Sequence, residues 1–145
     1  LWWSYFGSAK SVLDRALEEA DGAGRTQLAR DNYSLLHFPM ILGVIGVAAA
    51  LEGVVHHPGE PLDLASRLAL GAGVALFTGI MGLALWRASG RAPVARLVLA
   101  AATAAAVVAA AGLAPVATLA IAFLGVAILA GREHPAKDSA ASREI

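Results

Sequence analysis

The sequence predicts an all-α integral membrane helical bundle, with four transmembrane helices, the end of a preceding one and a short cytoplasmic loop helix. Three observations predict it. Apolar residues make up 58% of the chain and charged residues 15%, where a soluble domain carries about a quarter charged. The apolar residues gather in unbroken runs of roughly 17 to 23, enough to cross a hydrocarbon core at 1.5 Å per residue. Lys and Arg fall on alternate segments between those runs, as the positive-inside tendency requires.

Net charge is zero, and no basic patch is interleaved with stacking aromatics, so a nucleic-acid partner is not expected. There is no cysteine, which excludes disulfides and thiolate metal sites. The chain opens on Leu1-Trp-Trp-Ser-Tyr-Phe6 without a Met. Its amphipathic rings suit headgroup depth, so residues 1–7 read as the end of a preceding transmembrane helix and the missing N-terminal half as a partner.

Residues 8–32 follow as a cytoplasmic loop. Ala9, Val12, Leu13, Ala16, Leu17 and Ala20 recur at helical spacing among charged residues, which predicts one short amphipathic helix stopped by Gly22 and Gly24. Four spans come next, at about 33–55, 64–86, 94–111 and 113–130. The last two are separated only by Gly112-Leu-Ala-Pro115. A single helix from Val94 to Ala130 would be roughly 55 Å long against a core of about 30 Å, so a hairpin is the better reading.

Charge bias agrees. With four spans, Lys10, Arg15, Arg25, Arg30, Arg87, Arg91, Arg96, Arg132, Lys137 and Arg143 share one side and Arg67 stands alone on the other. This orients the loop and tail toward the cytoplasm. The tail, residues 131–145, is polar and rich in small residues, the composition of a disordered segment.

Helices in lipid associate through close backbone approach rather than hydrophobic drive. Gly71, Ala75 and Gly79 fall four apart on the second span, with Gly82 near that line, and are the expected packing face.

The candidate site lies on the first span. On a continuous α-helix Arg30, Ser34, His37 and Glu52 fall within an arc of about 80°, with Ile41, Val44 and Ala48 between them. Together with Tyr33 they form a candidate polar seam. His37 and Glu52 lie roughly 22 Å apart along the axis and would mark its two mouths. Pro39 removes one backbone bond, frees the Leu35 carbonyl and is expected to kink the helix beside His37. A seam completed by other parts of the protein would leave these polar residues exposed in this chain. His56 and His57 are adjacent and diverge by about 100°, without the i+4 partner of a zinc site, so no metal is expected. No nucleophile has a base at hand and no phosphate loop is present, so neither an enzyme nor a cofactor is expected.

Leu1-Trp-Trp-x-Tyr-Phe6, Ala29-Arg-Asp-x-Tyr33, Leu36-His-x-Pro-Met40, Leu51-Glu52 and His57-Pro58 together resemble the C-terminal part of the bacterial low temperature requirement protein A family, LtrA. Gly7 departs from the pattern, where the family often carries an acidic residue. The resemblance runs through about Trp86 and fades over the alanine-rich spans. It implies a multispanning protein of the bacterial cytoplasmic membrane associated with growth in the cold, with Trp3, Tyr33, His37 and Pro39 in the recurrent motif. Two functions stay open: a transport or permeation module around His37, or a non-transporting structural protein supporting the envelope in the cold. The bilayer is the expected partner, and a homo-oligomer stays open.

Overall fold

A computed structural model of the protein describes residues 10–90 and 92–133. Every regular element among them is helical. The expected end of a preceding span, at residues 1–7, lies outside the described residues, and so does the tail beyond residue 133.

The loop holds two helices instead of the one expected, α1 (Lys10–Glu19) and α2 (Gly22–Arg30). The first stops at Glu19 and the second begins at Gly22, whose positive φ of 48° glycine adopts without strain. Helix resumes at once because Arg25, Gln27 and Ala29 are good helix formers, enough to outweigh about 1 kcal/mol for Gly24. A π-helical turn, Asp31–Leu35, joins α2 to α3 (His37–His56), with the Leu36 N–H donating to the Asp31 carbonyl at 2.9 Å. Pro39 is the third residue of α3, where a missing N–H breaks no bond within the helix.

α4 (Leu64–Ser89) begins at Asp63, whose carboxylate accepts from the Ser66 N–H, and ends at Gly90 with φ 69°. It runs three residues beyond the expected Trp86 because Gly90 supplies the left-handed stop that the sequence places there. α5 (Val94–Ala109) is shorter than expected, and α6 (Pro115–Glu133) starts at the proline and carries helix into the expected tail. The turn between them uses Gly112 at φ 76°, so the hairpin forms where Gly and Pro signal it. Helices α3, α4 and α6 are long and apolar enough to cross a membrane, while α5 is apolar but has 16 residues.

α4 is the hub, with α3 and α5 packed on it and α6 packed on α5 and reaching α4. Two apolar clusters stack along it. Ala50, Leu70, Val74, Val107 and Ala122 form one toward the Asp63 end. Met40, Phe77 and Met81 form the other toward the Arg87 end.

The closest backbone-to-backbone approach among the described residues joins α3 to α4. A Cβ at Gly43 would stand 2.7 Å from the Gly73 carbonyl oxygen, and one at Gly73 would stand 2.6 Å from the Gly43 carbonyl oxygen. The residues expected to pack α4 face α5: Gly71 lies against Ala104 and Val108, and Gly82 against Pro93 and Arg96. Ala75 is half-buried, and Gly79 meets only Leu97 at ordinary van der Waals distance, 3.9 Å.

Candidate functional site

The most constrained polar group at the loop end of the bundle is Asp31, the first residue of the π-turn. It is 7% exposed, and buried carboxylates are stable only when paired. Arg87, on the last turn of α4, donates from Nη2 to Asp31 Oδ2 at 2.5 Å, and Arg30 approaches Oδ1 at 3.5 Å. The loop is thereby fastened to the end of the second span. Along the sequence Arg87 counts only toward the charge bias, and nothing there pairs it with Asp31. The available signal was a lone acid at the start of an apolar run, facing a basic residue at the end of the next.

Among the described residues, those of the expected seam are not brought together at one place. Its shared arc assumed one continuous α-helix, but Arg30 ends α2 and the π-turn changes the residues per turn before His37. Arg30 and Ser34 are exposed, His37 is half-buried, and the Tyr33 side chain lies outside the described residues. Glu52 is exposed near the far end of α3. Ile41, Val44 and Ala48, which lie between the polar residues, are exposed too. The face buried against α4 is the one holding Met40, Gly43 and Ala50. His56 Nδ1 lies 2.9 Å from the Glu52 carbonyl, which only accepts, so that nitrogen carries the proton. Among the described residues no three His, Asp or Glu stand together as a metal site would require.

Two arginines reach backbone carbonyls of a neighbouring helix. Arg96 is 4% exposed inside the bundle. Its Nε donates to the Thr78 carbonyl at 3.1 Å, and the space that Gly82 leaves receives its side-chain stem. The Thr78 hydroxyl in turn donates to the Val74 carbonyl at 2.6 Å. Arg67, at the opposite end, donates from Nη1 to the Val108 carbonyl at 2.5 Å, which ties α4 to the end of α5. Between α3, α4 and α6 an apolar groove of about 550 Å³ opens, lined by Val47, Leu51, Leu70, Val74, Leu119 and Ala130 among others.

The model of the bacterial low temperature requirement A protein (LtrA) family matches residues 1–131. The chain belongs to the LtrA family. The match includes the alanine-rich spans, where the sequence resemblance had faded, so α5 and nearly all of α6 are part of the LtrA pattern. It covers Asp31, His37, Glu52, Arg67, Arg87 and Arg96 alike. With its long apolar helices, this LtrA chain is a membrane protein. A search of curated proteins found no match, and neither did a search of solved structures.

Proposed function

We propose that this LtrA protein is a multi-pass protein of the bacterial cytoplasmic membrane working as a transport or permeation module, with all four of α3 to α6 crossing the bilayer. The C-terminal tail and the α1–α2 loop lie on the cytoplasmic side. Its polar seam runs from Arg30, at the end of α2, and Tyr33 and Ser34, in the π-turn, past His37 to Glu52 on the outward face of α3.

One observation carries the reading. The face of α3 that bears Ile41, Val44, Ala48 and Glu52 is turned away from α4 and exposed, yet ionisable groups within a span are costly against lipid and normally face a partner or a water path. The seam is therefore completed by whatever packs on α3, and protonation of His37 biases two arrangements of the helix end. The π-turn just before His37 fits that role, since such turns concentrate at functional sites.

The experiment reconstitutes the full-length protein in vesicles with a trapped pH dye and applies a potassium diffusion potential. Proton flux above that of empty vesicles, lost in His37→Ala and His37→Gln, is the expected outcome. In parallel, a deletion strain carrying either variant is grown in the cold with membrane abundance measured. Normal abundance with lost growth supports the module.

The second reading is a non-transporting structural protein supporting the envelope in the cold. The Asp31–Arg87 fastening favours it, being a tie between loop and span that needs no solute. Wild-type cold growth of both His37 variants, with loss of growth in Asp31→Ala, would move the assignment there.

A further inference from the structure

We propose that the Asp31–Leu35 turn is a two-register switch: the Asp31–Arg87 pair holds it as a π-turn, and when the pair opens it reverts to α-helix and swings the α1–α2 loop by about 100° about the axis of α3. The proposal goes beyond transport and does not depend on it, since the swing needs no solute.

The direction of Asp31 identifies the register. The buried face of α3 holds Met40, Gly43 and Ala50. Counted back along an unbroken α-helix at about 100° per residue, Asp31 would lie about 180° from Met40, about 120° from Gly43 and about 100° from Ala50. It would point away from α4. A π-turn takes up one residue more than an α-turn, which changes those angles to about 80°, about 20° and about 0°. Asp31 is in fact buried and bonded to Arg87 of α4, as the second set requires. The bond that closes the turn, from the Leu36 N–H to the Asp31 carbonyl at 2.9 Å, and the side-chain bond to Arg87 therefore belong to one residue in one register.

The backbone around the turn is ready for either register. Arg30 and Leu36, which flank it, both have right-handed helical angles, φ −59° with ψ −46° and φ −82° with ψ −25°. Neither glycine nor proline lies within residues 31–35. Pro39 bears on the Leu35 carbonyl, four residues earlier, and leaves untouched the carbonyls of residues 31 and 32, which compete for the Leu36 N–H. Because π-turns are rare beside α-helix, the π register needs a tertiary contact to hold it, and the pair with Arg87 supplies one. Arg87 is exposed, so the pair can open to water without dismantling the apolar clusters along α4. Helix α1 packs on α4, and the swing would lift it away.

The full-length protein, on a background without other cysteines, carries spin labels at Glu18→Cys on α1 and Arg132→Cys near the end of α6, both exposed positions. Their separation is read by double electron–electron resonance in lipid nanodiscs. The wild-type turn should give one separation. Asp31→Ala and Arg87→Ala should each add a second population displaced by on the order of 10 Å, since a helix packed about 10 Å off the axis moves at least that far in such a swing. Deletion of Asn32 is the control. With one residue fewer, a plain α-helix already directs residue 31 toward α4, so the displaced population should vanish from both variants. A wild-type separation in both single variants overturns the proposal, as does a displaced population that survives the deletion, which would mean a loop that merely detaches. Should Asp31→Ala not assemble, Arg87→Gln decides, because that side chain is exposed and its replacement opens no cavity.

Discussion

Asp63 and Asp31 are both helix-end carboxylates, yet they do different work because one is in water and the other is not. The Asp63 carboxyl is held below its usual value by its bonds to Ser66, first through the side chain and then the backbone, with Arg67 contributing. A depressed folded-state pKa means that its stabilising contribution is complete above the unfolded value, 3.8, and is lost as pH falls through the lower folded value. Thermal unfolding in detergent should therefore show an acid-side loss below about pH 4 that Asp63→Ala lacks. Asp63→Asn, which still caps, should retain most of the neutral-pH stability. Asp31→Ala removes a buried partner of Arg87, but Arg87 is 44% exposed and can turn to water. The expected cost is thus about 1.5–3 kcal/mol, that of a hydrogen bond to a charged group, and not the larger penalty of stranding a buried charge. Denaturation midpoints of Asp31→Ala and the double variant with Arg87→Ala should nearly coincide, since the second change removes an interaction already lost.

Among the helices, the glycines divide by what a methyl group would strike. At Gly43 and Gly73 it would meet the opposing backbone at 2.7 and 2.6 Å, and backbone cannot rotate away. Gly43→Ala or Gly73→Ala should separate α3 from α4 and cost about 1–3 kcal/mol, the usual penalty of overpacking. At Gly79 the nearest atom is the end of the Leu97 side chain at 3.9 Å, so Gly79→Ala should be neutral or stabilising through helix propensity, by up to about 1 kcal/mol. A denaturation series on the three variants checks the order. Gly125 is intermediate in kind, because its added methyl would collide with the Thr103 side chain, which is removable. Thr103→Ala should rescue Gly125→Ala only in part, because the Thr103 Cβ would still stand 2.8 Å from the added methyl, and Thr103→Gly should rescue it further.

For the whole molecule, the number of crossings turns on α5. α5 has 16 residues, about 24 Å at helical rise against a core of about 30 Å, a mismatch that a bilayer accommodates by local thinning or by its flanking Arg. The chain has no cysteine, so single cysteines report position without background. Gly59→Cys and Leu113→Cys should react with an impermeant maleimide on intact cells, and Ser89→Cys only after permeabilisation. Labelling of Leu113→Cys only after permeabilisation would leave α5 on the cytoplasmic side and reduce the crossings.

The sequence by itself determined the helical class, the apolar segments, the hairpin at Gly112 and Pro115, and the LtrA resemblance. Each rests on run length, on glycine and proline conformational limits, or on residue order, all local properties of the chain. The tertiary structure alone decided which face of each helix is inward. A glycine stripe on α4 was legible, but Gly43 and Gly73 were not recognisable as partners until two helices were laid together, since a close approach belongs to a pair of surfaces. The same holds for charge: Arg96 and Arg87 look alike along the chain, yet one is inside the bundle on the Thr78 carbonyl and the other clasps Asp31. Arg30 and Ser34 do not share an arc with Glu52 by periodicity alone, because periodicity specifies an angle only along an unbroken helix, and the π-turn before His37 resets it. Burial and pairing depend on what neighbouring elements present, which no single helix encodes.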